Sequence, residues 1–352
     1  MLKHRRAYPK AEAIRQNPVR FTVTISQGRK KGKAKVTCYC CQGETKRFGH
    51  FQNKNRLVQR FRCLRCGKTF SESQPLDGVR VETAKAVQAV NLLCEGVGIR
   101  ASSRLTGLDQ GTILNVLKSA GEHCARLLDA KIQNVHVQHV EIDEVFAFVK
   151  CLQANTQPGD TEHGDQYGYF AMESASKLIL HWHVGKRDTF TSRDFLEGLR
   201  PKIAGRFQLT SDGFQGYCSR HGGVGFVFGS GVDYATEIKQ YRLRYPGSLR
   251  RFNPVICTSV RRKARIGNPD LNQTTTNHAE RANLSVRLFN RRFTRKTLGY
   301  SKTLENHKWA MVLVVAHFNF CRVHSAHGLT PAQAQGLTDH KWTIEELLSA
   351  TI

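Results

Sequence analysis

Three carboxylates and four thiols are the side chains best placed to do chemistry. Asp143 lies in the β-branched run VEIDEVFAFV, Asp212 follows the short run ending at Ser211, and Glu280 opens the segment ERANLSVRLF. An ionised acid in a buried strand is costly unless it is paired or holds a cation. Asp143 and Asp212, each at a strand, therefore read as metal ligands, with Glu280 as the helical third. Three such carboxylates can hold two divalent ions about 3.5 to 4 Å apart, one activating a nucleophilic oxygen and the other stabilising the leaving oxygen of a phosphodiester. Hard cations take oxygen donors, so Mg²⁺ is expected, with Mn²⁺ as a working substitute. Glu141 and Glu144 compete with Asp143, whose shorter side chain suits a ligand fixed to a strand.

The thiols form two Cys-x2-Cys pairs, Cys38 with Cys41 and Cys63 with Cys66, separated by 21 residues. That spacing predicts a four-thiolate zinc ribbon, two knuckles converging on a tetrahedral ion. Cys40 in place of Cys41, or His50 in place of a thiolate, remain alternatives. Structural Zn²⁺ would supply roughly 10 to 16 kcal/mol to a module too small to fold on its own core. The chain has 11 cysteines, an odd number, and shows no secretory segment, so a reducing cytosol is expected.

Charge points to the partner. Lys and Arg (54) exceed Asp and Glu (28), for a net charge of +26. Residues 1–80 carry 20 basic against 4 acidic side chains and residues 241–302 carry 15 against 2, while residues 81–240 carry 16 against 18. Every charged residue between Glu280 and Lys302 is basic. Glu280 and Arg287 are seven apart, as are Leu284 and Arg291, so one continuous helix would carry all four on nearly one face. Such a face wants an anionic polymer, with Arg281, Arg287, Arg291, Arg292, Arg295 and Lys296 as its phosphate contacts. Membrane surface is the rival anionic partner, but the sequence shows no amphipathic anchor, signal peptide or apolar run near the roughly 20 residues of a span, so nucleic acid is the better one.

The elements that must position these groups follow from local signals. Residues 1–35 read as a mobile basic arm and 36–72 as the ribbon. Over 73–132 the pattern is a helix from Val81 to Cys94, a glycine-bearing break, a short helix from Ala101, a turn at Thr106 to Leu108, and a helix through Leu128 with Asp109 as N-cap. This helix-turn-helix outline would send Gln110, Thr112, Asn115 and Lys118 into a major groove. From 133 the texture turns to strands, with Tyr167 to Met172 and Lys177 to Val184 as a meander, a helix over Arg193 to Arg200 and a strand at Phe207 to Thr210. The predicted catalytic domain spans 133–322, with a basic insertion at about 229–275 and a C-terminal tail over 323–352. The expected fold class is thus multidomain: zinc ribbon and helix-turn-helix, then an α/β domain.

A strand acid, a strand-end acid and a helical Glu, in that order, are what a ribonuclease-H-like core presents. Around these acids the chain resembles bacterial insertion-sequence transposases of the DDE class, of the "insertion sequence one" type. The resemblance is carried by VEIDEVFAFV, LTSDGFQGY and TNHAERANLSVRLFNRRFTRKTLGYSK, with VDYATEIKQY, IGNPD and FNFCRVHSAHGLTPAQA beside them. It implies a DDE triad of Asp143, Asp212 and Glu280, with Arg287 gripping transposon-end DNA. The implied reaction is cleavage at terminal inverted repeats followed by attack of the freed 3′-hydroxyl on target DNA. Bringing two ends together implies a homodimer or larger assembly on DNA, in the bacterial cytoplasm at the nucleoid. A DNA-binding regulator or inactive derivative, and a structure-specific nuclease with the same core, are the alternatives.

Overall fold

The computed structural model describes residues 38, 41, 43–53, 56–71, 79, 81–247, 253–294 and 297–350. The expected basic arm, along with Arg295 and Lys296, lies outside them.

The N-terminal module is a three-stranded antiparallel sheet of β1 (Thr45–Asn53), β2 (Arg56–Cys63) and β3 (Thr69–Ser71), in that order. Its buried side chains include Phe61, Cys38 and Cys63, with the Phe70 ring stacked on Phe61 at 6.1 Å. The apolar surface buried by these described residues is too small to hold a fold by burial alone.

Three helices follow: α1 (Thr83–Cys94), α2 (Ile99–Thr106) and α3 (Gln110–Lys131). Gly107 ends α2 in the left-handed region at φ 71°, and the Asp109 carboxylate caps α3 by accepting from Gly111 N at 2.7 Å. Helix α3 buries Ile113, Val116, Leu117, Ala120, Cys124 and Leu127, the spacing of one continuous stripe.

The second unit is built on a six-stranded sheet. Strands β4 (Val135–His136) and β8 (Ile203–Ala204) form a separate two-residue pairing. Strands β5 (His139–Val149), β6 (Gly164–Glu173) and β7 (Ile179–Gly185) form the expected antiparallel meander. Helix α4 (Thr189–Leu199) then leads to β9 (Phe207–Ser211), which pairs parallel to β5. Short helices α5 (Gln215–Cys218) and α6 (Val224–Phe228) lead to β10 (Val232–Leu243), parallel to β9, and β11 (Val255–Ile266) folds back antiparallel on β10. The order across the sheet is β11-β10-β9-β5-β6-β7.

Helix α7 (Asn277–Phe289) packs on β5, and α8 (Leu304–Phe320) lies between the sheet and α3. A side chain at Gly121 of α3 would meet Trp309 Cβ of α8 at 2.8 Å, so the missing Cβ sets how closely these two helices approach. Asn319 of α8 clamps the start of β7, accepting from Ile179 N at 3.0 Å and donating to Ile179 O at 2.9 Å. Helices α9 (Pro331–Ala334) and α10 (Ile344–Ser349) complete the chain.

Three boundaries differ from expectation. The change of texture near 132 is not a gap in the core, since one buried cluster runs from Val79 to Leu348. Residues 323–350 are not a loose tail, because Leu347 and Leu348 are fully buried. The basic segment from about 229 is not wholly an insertion: Val232 to Thr236 are ladder partners of β9, and only the outer part of the hairpin leaves the sheet. No helix among the described residues is long and apolar enough to cross a membrane.

Candidate metal and nucleic-acid sites

Ladder pairing between β5 and β9 stops at Glu141 and Thr210, so the strands part just before Asp143 and Asp212. A crevice at the carboxyl ends of parallel strands is where open α/β sheets bind ligands. There Asp143, Glu144 and Asp212 offer oxygens that all lie within 4.8 Å of one another. Asp143 Oδ2 accepts from Asn283 Nδ2 of α7 at 2.7 Å. Glu144 reaches in from the other face of β5, where Tyr217 donates to its Oε1 and Arg187 Nε to its Oε2 at 3.1 Å. Arg187 Nη2 also meets Asp212 Oδ2 at 3.2 Å, and its guanidinium lies 4.1 Å from the centre of the Phe214 ring.

Like charges in a partly dry crevice resist ionising together. Burial, and after it the charge of Glu144, pushes Asp143 up to about 7. Burial, and then Asp212, raises Glu144 as well. A bound cation would reverse both costs, and three hard oxygen donors suit Mg²⁺ or Mn²⁺.

Glu280 sits on the first turn of α7 but outside that group of three. Its Oε1 accepts from Lys239 Nζ of β10 at 2.7 Å and from Thr276 Oγ1 at 2.9 Å. Its charge nevertheless reaches Asp143, adding to the upward push there. The helix that carries it is fixed by Glu141, a buried acid on the same face of β5 as Asp143. Glu141 Oε2 accepts from the free N–H groups of His278 and Ala279 at 2.8 and 3.0 Å, and its Oε1 meets His278 Nδ1 at 2.5 Å and Ser174 Oγ at 3.1 Å. Together Glu141 and Asn283 join α7 to β5 at two successive turns.

Sequence reasoning set Glu141 and Glu144 aside, yet the first orients the Glu280 helix and the second joins the cluster. It also passed over Arg187, Tyr217, Lys239 and Asn283. Of these only Asn283 carried a signal, one turn beyond Glu280 on a related face.

The four thiols converge as their spacing predicts, within 4.8 Å of one another. Cys38 Sγ lies 3.6 Å from Cys66 Sγ, and Cys41 Sγ 3.4 Å from Cys63 Sγ. Tetrahedral zinc with bonds of about 2.3 Å needs sulfur pairs about 3.8 Å apart, so the set fits after a small expansion. Backbone N–H groups of Arg65 and Cys66 point at Cys63 Sγ, at 3.3 and 3.4 Å. The Cys66 N–H, chiefly, holds the Cys63 thiol down to about 6, poised as a thiolate ligand. A Cβ on Gly43 would meet Arg65 Cβ at 2.9 Å and Cys41 and Cys63 Sγ at 3.2 Å, so a side chain here would push the two knuckles apart.

The expected arginine face does not form one helix. Helix α7 ends at Phe289, where the Asn290 side chain accepts from Arg292 N at 3.2 Å and donates to Ala310 O at 3.1 Å. Arg291 is therefore displaced from the Leu284 face onto a short 3-10 turn, where it stays exposed. Arg292 turns inward, 9% exposed, and burial lowers it to about 10. It is placed for packing, not for an external phosphate. Arg281 is exposed and Arg287 half-buried. On α3, Gln110 and Asn115 are exposed and Thr112 partly so, but Lys118 is tied to Glu305 at 2.9 Å. The hairpin adds an exposed basic surface with Arg242, Arg244, Arg261 and Lys263.

Compared with models of known protein families and with curated proteins, the chain has no match.

Proposed function

We propose that the chain is a DNA transposase of the DDE class, with a ribonuclease-H-like catalytic unit, a zinc ribbon and a helix-turn-helix. One observation carries the reading: acids far apart in sequence meet at the parting of two parallel strands in a sheet of order β11-β10-β9-β5-β6-β7, with a helical Glu alongside. The chemistry that Mg²⁺ or Mn²⁺ supplies in such a carboxylate set is activation of water and neutralisation of charge on a phosphodiester.

Asp143, Glu144 and Asp212 are the residues to hold that cation, with Glu280 exchanging its Lys239 partner to join them. Lys239 would remain paired with the buried Glu237 at 3.3 Å and would stay beside the site as a cation suited to charge developing on a phosphate. Asn283 and Glu141 keep α7 in register with β5, so that the helical acid faces the strand acids. Arg281 and Arg287, the hairpin arginines and the exposed face of α3 then serve as phosphate and groove contacts for terminal repeats and target DNA. Processing two ends requires at least a dimer.

A second reading, a DNA-binding regulator that does not cut, draws on the cations already paired with these acids: Arg187 on Glu144 and Asp212, Lys239 on Glu280. A transposition assay in cells separates the two, using a marker between the element's own ends with the protein supplied in trans. Movement with wild type, and none with Asp212→Asn or Cys63→Ser, is the expected outcome. No movement with wild type, alongside retained binding to the ends, selects the regulator.

A further inference from the structure

Helix α7 has a second functional face. Asn283 meets the acidic cluster and Glu280 lies beside it, while His278, Arg281 and Ser285, roughly 160° around the helix, line a separate cleft of about 280 Å³. Met172 and Phe318 give it an apolar floor, and its polar walls are cationic. Lys177 comes from the β6–β7 turn, Arg281 from α7, and Arg322 and His324 from the segment after α8.

Neither Arg281 nor Arg322 makes an ion pair among the described residues, and the Arg322 guanidinium is stacked over the Phe289 ring at 3.5 Å. Three carboxylates are near. Glu141 and Glu173 lie behind the wall, their oxygens taken by backbone N–H groups, hydroxyls and His278, and the charge of Glu95, just past the end of α1, reaches Arg322. His324 is held below its usual range by burial, then by His327, Lys177, Arg322 and His278, which reports a positive field in the cleft. Lys177 is the most enclosed of these cations: its backbone is left-handed at φ 64°, its ammonium donates to Ser174 O, and burial lowers it below the usual lysine range.

We propose that this cleft binds a phosphate group and, resting on the reading of the chain as a DNA-processing protein, that the phosphate belongs to a DNA strand crossing the outer face of α7. Cations from three elements converge from different directions, which suits a tetrahedral oxyanion, and the guanidinium fork of Arg322 is pre-oriented by its stacking on Phe289.

The test uses the full chain and two probes without divalent ion: inorganic phosphate followed by calorimetry, and a random-sequence 20-base-pair duplex followed by fluorescence anisotropy over a salt series. Arg322→Gln and Lys177→Gly are each expected to weaken phosphate binding about tenfold and to reduce the slope of log affinity against log salt by about 1. Lys177→Gly relieves the left-handed backbone but also loses the bond to Ser174 O, so its thermal midpoint is measured beside that of Arg322→Gln to separate lost binding from lost stability. Variants that bind both probes like wild type would overturn the cleft while leaving DNA binding intact. Wild-type binding of phosphate, lost in the variants, with no binding of the duplex would keep the site for a free phosphate and sink its DNA source. Binding of neither probe by wild type overturns the site and the DNA reading together.

Discussion

In the four-thiol module the ligands come from two turns, each supplying a pair three residues apart, whereas the acidic cluster takes Asp143 and Glu144 from β5 and Asp212 from the end of β9. Among its described residues the first buries little beyond Phe61, Cys38 and Cys63, so its geometry depends on the ion that four thiolates would bind. The second sits in a sheet whose core is continuous with the helices around it, so its geometry is imposed before any ion arrives. Local spacing can encode a site that metal completes. A site pre-formed against electrostatic repulsion needs a whole domain to hold it.

The largest effect should come from breaking the thiol set. Cys63→Ser, or chelation, should remove most of the roughly 10 kcal/mol that zinc contributes to folding the ribbon. Hydrogen exchange should then release the β1–β3 amides while β5 and β6 keep their protection. Simultaneous loss in both would dissolve the contrast between the two regions.

Glu141→Ala is the matching test on the sheet. It strips acceptors from two N–H groups of α7 and should destabilise by about 3 kcal/mol in chemical denaturation. A change under about 0.5 kcal/mol would mean that Glu141 does not hold α7 in place.

Asp143→Asn should stabilise, and only at higher pH. The folded carboxyl titrates at about 7 against an ordinary 3.8, so the folded chain binds that proton more tightly than the unfolded one. Its unfavourable contribution is absent below about pH 4, grows as pH rises, and is complete above about pH 7. The variant should gain up to about 4 kcal/mol at pH 8 and little at pH 4, measured by thermal unfolding without divalent ion. A gain that is the same at both pH values would deny the electrostatic origin of the strain.

Asn283→Ala should cost least, about 1 kcal/mol, as its bonds to Asp143 Oδ2 and the Glu144 carbonyl are lost. An unchanged stability would place the register of α7 on Glu141 alone.

Residue types and spacing predicted the thiol set, the meander of β5 to β7, the α1–α3 outline with its Asp109 cap, and the positions of Asp143 and Asp212. Each of these is a local signal: a repeat of ligands, a period of two, a capping side chain. They failed where long-range partners decide. Helix α7 was read on through the arginines because nothing in LFNRRF forbids it, but Asn290 finds a bond to Ala310 of α8 and ends the helix. Arg292 was read as a phosphate contact because arginine is ordinarily solvated, but the chain turns it inward after that break.

By itself, the sequence determined the two blocks of positive charge, the knuckle spacing and the strand and helix periods, all of which depend on neighbours along the chain. Only the tertiary structure decided which acid does what. Glu141, Asp143 and Glu144 are near-identical in local context, and the parting of β5 from β9 and the docking of α7 assign one to hold a helix and two to the cluster. The physical reason is that a carboxylate's role is set by the charges and N–H groups within a few ångströms of it, and those come from strands and helices that only the fold brings together.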